Sequence, residues 1–349
     1  MPVSLSDKSS KGASSAPGSR VLPYDLLRVI AICAVLGIHS LMTARDLTRV
    51  PPLITMVDSY LHFAVPLLVF ISGALTWSSS KKRSYKKFAL HRLQRLGLPY
   101  LAWFCVYIVL TFIQTPGKKI TVGWLLGNLL TGNVWYHLYF IPMILTFALL
   151  TPVASKALRL FKYAPELLFV LAFLLKAFGW TNLGPLVHAH LGAAVWGYLA
   201  HIVMHLPDMI LGAWFALRFK NVITKAAQAK TFALFSSKKG SGLAAHKVIA
   251  NLRFSFITLG LTFLAFAIAP WLHKIERPLT SLSMASFGVF LVHPVFLFII
   301  QRLVASLGAG YLWTNWWFIL GVFSLLFVFS YGASYALLAS KYSAWSVGE

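Results

Sequence analysis

From Tyr24 onward the chain is a succession of apolar runs separated by short stretches that hold most of its charge. A helix rises about 1.5 Å per residue, so roughly 30 Å of hydrocarbon takes about 20 mostly apolar residues to cross. Runs of that kind lie near 24–43, 57–78, 96–114, 135–154, 165–180, 196–217, 254–272, 282–303 and 316–338. They predict nine helices. The run at 165–180 is short and carries Lys176, while 120–133 and 181–195 are apolar enough to lie in the interface or re-enter, which sets the total at nine to eleven. No helix–strand alternation and no fixed-period repeat is evident, which argues against a solenoid. The expected fold is an all-α, polytopic transmembrane bundle of about ten helices.

Composition agrees with the pattern. Hydrophobic residues make up 58% of the 349 and charged residues only 11%, under half of the quarter that a soluble domain carries. A secreted disulfide scaffold, a coiled coil and a disordered chain are excluded. The two cysteines, Cys33 and Cys105, both fall in apolar runs and offer neither a disulfide framework nor metal-ligand spacing. Charge changes the picture more. Lys and Arg number 31 against 8 Asp and Glu, a net +23, which in a soluble protein suggests nucleic acid. With the N-terminus in the cytoplasm, the segments between runs hold 22 basic residues inside and 7 outside, Arg28 and Lys176 lying within runs. That count puts Lys274, Arg277 and Lys341 outside and Arg302 inside. The split is a positive-inside signal. Topology and anionic inner-leaflet lipid account for the basic excess, and no nucleic-acid partner is expected.

Residues 1–22, rich in Ser, Gly, Pro and Lys, read as a disordered cytoplasmic tail. The first apolar run is too long for a signal-peptide core, contains Arg28, and is expected to be retained as a helix. The expected domain is 23–340, with 218–253 as one long basic cytoplasmic loop and 341–349 as a short C-terminal tail.

Ionisable groups inside spans face a bundle interior or a water-filled cavity and mark function by default. Arg28 and His39 are eleven residues apart, a rotation within about 20° of three full turns, so they share a face about 16 Å apart along the axis. Asp25, one turn before Arg28, is placed to pair with it. A snorkelling arginine above a hydrogen-bonded bundle histidine fits the same spacing. Arg92 and Arg95 share a face where the third run begins. Guanidinium groups there suit the phosphates of a nucleotide-like carrier, and equally suit lipid headgroups. His201, His205 and Asp208 follow helical spacing in the sixth run, without the HExxH pattern of a metal site, and read as cavity-lining or structural.

Five blocks occur in register: Arg28-x10-His39; Val65-Pro-Leu-Leu-Val-Phe-Ile-Ser72-Gly73; Arg92-x-x-Arg95 with Pro99-Tyr100; Trp135-Tyr-His-Leu-Tyr-Phe-Ile-Pro142; and Ser286-Phe-Gly-Val-Phe-Leu-Val-His293-Pro294. Together they resemble the acyltransferase-3 family of integral-membrane acyltransferases, over most of the chain, and are similar to its polysaccharide-modifying branch. The resemblance implies about ten helices and O-acylation of a carbohydrate, the acyl group (acetyl first, succinyl second) coming from cytoplasmic acyl-CoA. It implies Arg28 and His39 as the catalytic pair, and Arg92 and Arg95 as the acyl-CoA-binding pair. The expected form is the minimal membrane one, without the periplasmic hydrolase-like domain that some members carry.

On this reading acyl-CoA is a co-substrate, no cofactor is tightly bound and no metal is required. The partners are acyl-CoA, an exopolysaccharide or lipid-linked glycan, and membrane lipid, in a bacterial inner membrane. His39 is either a general base on the sugar hydroxyl or a transient acyl acceptor. Around this pair stand Asp25, Ser72, His293, Trp135 and Tyr136. Ser72-Gly73 favours close helix packing over nucleophilic chemistry, having no Gly-x-Ser-x-Gly elbow. His293-Pro294 opens the helix ladder beside a cavity. Trp135, Tyr136 and Tyr139 are expected in an aromatic belt at the outer interface, although stacking on a sugar would use the same rings. The competing class is an exporter of a glycan or lipid-linked saccharide, which predicts paired broken helices or inverted repeats.

Overall fold

The computed structural model describes residues 21–45, 50–80, 84–157, 160–219, 243–340 and 343–348. Most of the expected N-terminal tail and the basic segment 220–242 lie outside the described residues. Among those described, all regular structure is helical. The principal helices are α1 (Leu22–Arg45), α2 (Pro52–Leu61), α3 (Ala64–Ser80), α4 (Tyr85–Arg92), α5 (Leu98–Gln114), α6 (Val122–Thr131) and α7 (Phe140–Ala157). They are followed by α8 (Ala164–Leu174), α9 (Trp180–Arg218), α10 (Leu243–Ala267), α11 (Ala269–Leu272), α12 (Glu276–Ser306) and α13 (Trp316–Ala339). Six helical stretches are long and apolar enough to cross a membrane, and three shorter apolar helices accompany them among the described residues. The polytopic all-α bundle expected from the apolar runs is what the chain forms. The ambiguous stretch 120–133 is largely helix α6, and 181–195 is the first part of α9.

Close helix packing holds the centre. The most extensive pairing is α3 with α9. A Cβ added at Gly73 would run into the Met209 carbonyl, and one added at Gly212 into the Phe70 carbonyl. Two glycines, one on each helix, let the backbones touch, which is how helices associate where lipid is as apolar as the side chains.

We call the end of the bundle where α1 starts the near face. α12 runs in the same direction as α1: Ser283 meets Asp25 and Arg28, His39 stacks on His293, and Gln301 donates to Thr43. α13 returns antiparallel, with Phe329 on Phe296 and Ser334 bonded to the Ala285 carbonyl. The segment Ser343–Gly348 therefore comes back to the near face beside Arg95.

This arrangement corrects the sides assigned by counting loops. Leu272 and Leu279 pack on Leu22, so Lys274 and Arg277 lie at the near face rather than opposite it. Arg302 lies at the other face, where it donates to the Ile113 carbonyl at the end of α5. The cause is a parity slip. α10 runs parallel to α9, with Ser255 on Asp208 and Phe263 on Phe215 and Phe219. It also begins at Leu243, inside the stretch read as loop, and Arg253 bonds Ser59 of α2. Strict alternation across 218–253 fails, and the described segments that follow change face, while Lys341 lies outside the described residues.

Candidate active site

Three arginines, Arg28 of α1 and the pair Arg92 and Arg95 from the helical stretch that joins α4 to α5, converge at the near face. They line one cavity of about 280 Å³ with Ser72, Thr76, Ser283, Ser286 and Phe290. Each is held by local chemistry. Asp25, in the first turn of α1, is 2% exposed. Its Oδ1 accepts from Ser283 Oγ at 2.6 Å and from Arg28 Nη1 at 3.3 Å. A buried carboxylate thus fixes the arginine head while leaving its side chain 34% exposed toward the cavity. Arg92, at the end of α4, donates to Thr76 Oγ1 of α3 at 3.2 Å. Arg95 sits in a single π-helical turn, Leu93–Gly97, closed by the Leu98 N–H on the Leu93 carbonyl. Pro99 has no N–H to return to the Arg95 carbonyl, so the ladder slips there. Arg95 Nε donates to the Gly348 carbonyl at 2.9 Å, and Val347 and Gly348 form part of the cavity wall.

His39 does not line this cavity. It lies about 16 Å further along α1, in a cluster of rings. Its ring centroid is 4.7 Å from Tyr136 and 5.1 Å from His293, the latter stacked. His137 stands 5.4 Å from His293 and 5.6 Å from Tyr136. Phe290 joins the two regions: it lines the arginine cavity and its ring is 5.1 Å from that of His137.

The cluster depends on a break in the chain. α6 starts at Thr121, whose side chain accepts from the Trp124 N–H, and stops at Gly132 in the left-handed conformation (φ 77°). Residues 133–139 then run as turns through the bundle before α7 begins at Phe140. This overturns the expected aromatic belt. Trp135 is buried between Tyr107 and Phe298, and Tyr136 faces His39. The interface placement assumes a continuous helix over 135–154, and the Gly132 stop removes its first turn. Tyr136 remains 37% exposed and His39 half-buried, whereas His137 is 3% exposed and His293 fully buried.

Pro294 leaves the helix ladder of α12 open where this cluster forms. The Tyr107 hydroxyl donates to the Leu291 carbonyl at 2.5 Å. His293 Nδ1 is 3.1 Å from the Val289 carbonyl. A carbonyl only accepts, so that nitrogen carries the proton and Nε2 is left as an acceptor.

The expected site residues thus form two adjoining groups. Arg28, Arg92, Arg95 and Ser72 meet in the cavity, with Asp25 beneath Arg28. His39, His293, Trp135 and Tyr136 form the ring cluster. Ser72 lines the cavity wall while its neighbour Gly73 makes the close contact with α9. His201, His205 and Asp208 stand apart. His201 stacks on Tyr139 at 3.7 Å, and Asp208 takes a hydrogen bond from Ser255 with His205 Nδ1 3.5 Å away. Those contacts tie α9 to its neighbours.

One member of the cluster, His137, lies within the Trp135–Pro142 block but is given no role of its own by the sequence patterns. Neither of its ring nitrogens has a hydrogen-bond partner among the described residues. An unsatisfied buried donor or acceptor costs on the order of 1–3 kcal/mol. A signal for it does exist in the sequence: an ionisable residue within an apolar stretch, five residues after a glycine fit to stop a helix.

A family model for the acyltransferase-3 domain matches residues 23–335, nearly the whole chain. The chain belongs to the acyltransferase-3 family and is a multi-pass membrane acyltransferase. Comparison with curated proteins and with solved structures gives no match.

Proposed function

We propose that the protein moves an acyl group, acetyl by preference with succinyl second, from cytoplasmic acyl-CoA to a hydroxyl of an exported polysaccharide or lipid-linked glycan at a bacterial inner membrane. The observation that carries this reading is the convergence of Arg28, Arg92 and Arg95 on one cavity whose Phe290 wall adjoins the histidine cluster. On this reading the near face is cytoplasmic. Guanidinium groups hold phosphates through charge-assisted hydrogen bonds, so the nucleotide end of acyl-CoA docks among the arginines. The pantetheine arm follows α1 inward past Phe290, and the thioester reaches His39. There the unprotonated imidazole takes the proton of the acceptor hydroxyl, or accepts the acyl group and passes it on. Tyr136 and Trp135 offer ring faces to the sugar. Near-face basic residues also serve anionic lipid.

The test uses membranes from expressing cells, labelled acetyl-CoA and the producing cell's polysaccharide stripped of its esters by mild base. The expected result is release of free CoA together with label in the polysaccharide. No CoA release, with polysaccharide accumulating on one side of the membrane, would move the assignment to an exporter.

A further inference from the structure

We propose that His137 is a second catalytic imidazole, which donates an N–H hydrogen bond to the thioester carbonyl oxygen as negative charge develops there. The proposal rests on the acyl-CoA-dependent reading above. Three observations carry it. His137 is almost fully buried, yet neither ring nitrogen has a hydrogen-bond partner among the described residues, whereas a core histidine is normally tied down as His293 is to Val289. Its position lies between the two halves of the site: Phe290, 5.1 Å away, lines the arginine cavity, and Tyr136, 5.6 Å away, touches His39. Finally, the neighbouring imidazole cannot do this work. His293 has committed its proton to a backbone carbonyl and keeps only a lone pair. A neutral His137 has one N–H to give in either tautomer.

The step balances without another reactant. The acceptor oxygen bonds to the thioester carbonyl carbon while its proton passes to His39. The carbonyl electron pair moves onto oxygen, where the His137 N–H holds it. The carbonyl then reforms, the carbon–sulfur bond breaks, and CoA leaves as the thiol with the proton from His39. A donor aimed at the developing oxyanion, rather than at the ground-state carbonyl, acts on kcat.

The test compares His137→Gln, which keeps an N–H donor, with His137→Phe and His137→Leu, which fill the space without one. The readout is kcat and KM for acetyl-CoA with the ester-stripped polysaccharide. The expected result is a kcat loss of about 10²- to 10³-fold for Phe or Leu. KM should stay within about threefold, and the Gln variant should lose no more than about tenfold. Wild-type kcat in whichever apolar variant inserts normally, or equal losses in the Gln and apolar variants, overturns the proposal. A wild-type protein that releases no CoA refutes the underlying transfer reading instead, so the two failures are separable.

Discussion

Arg92→Ala is the most direct probe of the arginine cavity. Arg92 is half-buried, anchored to Thr76 Oγ1 at 3.2 Å, and shares the cavity wall with Arg28 and Arg95. A hydrogen bond to a charged group contributes about 1.5–3 kcal/mol when well desolvated. The head of Arg92 is partly in water, so screening brings its contact with a phosphate to about 1–2 kcal/mol. At about 1.4 kcal/mol per factor of ten, the KM for acetyl-CoA should rise about 5- to 30-fold. Arg92 lines the cavity and not the ring cluster about His39, so kcat should change little. Arg92→Lys keeps a point charge but loses the planar fork, and its KM should fall between those of wild type and Ala. The assay is saturation kinetics of CoA release at two ionic strengths, with the wild-type KM showing the steeper salt dependence. An unchanged KM with a reduced kcat would refute the placement of the phosphates in this cavity.

Two further perturbations test how the site is held. Ser283→Ala removes the 2.6 Å bond to the buried Asp25 carboxylate that orients Arg28; it should cost about 1.5–3 kcal/mol of stability, read as a lower melting temperature in detergent, and an unchanged melting temperature would contradict the anchor. Gly212→Val forces α9 away from the Phe70 carbonyl of α3, a backbone clash beyond the usual ~1–3 kcal/mol of overpacking, so properly assembled protein should be lost in size-exclusion profiles. A normal profile would show that the α3–α9 contact is looser than described.

Much of this arrangement is legible in the order of residues alone. The apolar runs locate the spans, and the eleven-residue interval from Arg28 to His39 puts both on the face of α1 that meets α12. Convergence of Arg92 and Arg95 with Arg28 is not readable from spacing, because it arises from packing between helices far apart in sequence. Two misreadings have physical causes. Hydropathy does not reveal that Gly132 stops α6 inside the bundle, so it sends Trp135 and Tyr136 to the interface and gives His137 no prominence. Loop counting assumes that successive spans alternate, and the parallel run of α9 and α10 breaks that assumption. The count therefore puts Lys274, Arg277 and Arg302 on the wrong faces. The positive excess itself does not locate the arginine cavity. Among the described residues only three of its cations line that space, and one of them, Arg28, is held by the buried Asp25 carboxylate.

The central claim is that His39 carries the transfer. His39→Ala, expressed and inserted at wild-type levels, should leave no acyl esters on the polysaccharide above those of cells lacking the protein, as read by NMR of the purified glycan. Undiminished acylation by that variant would contradict the account.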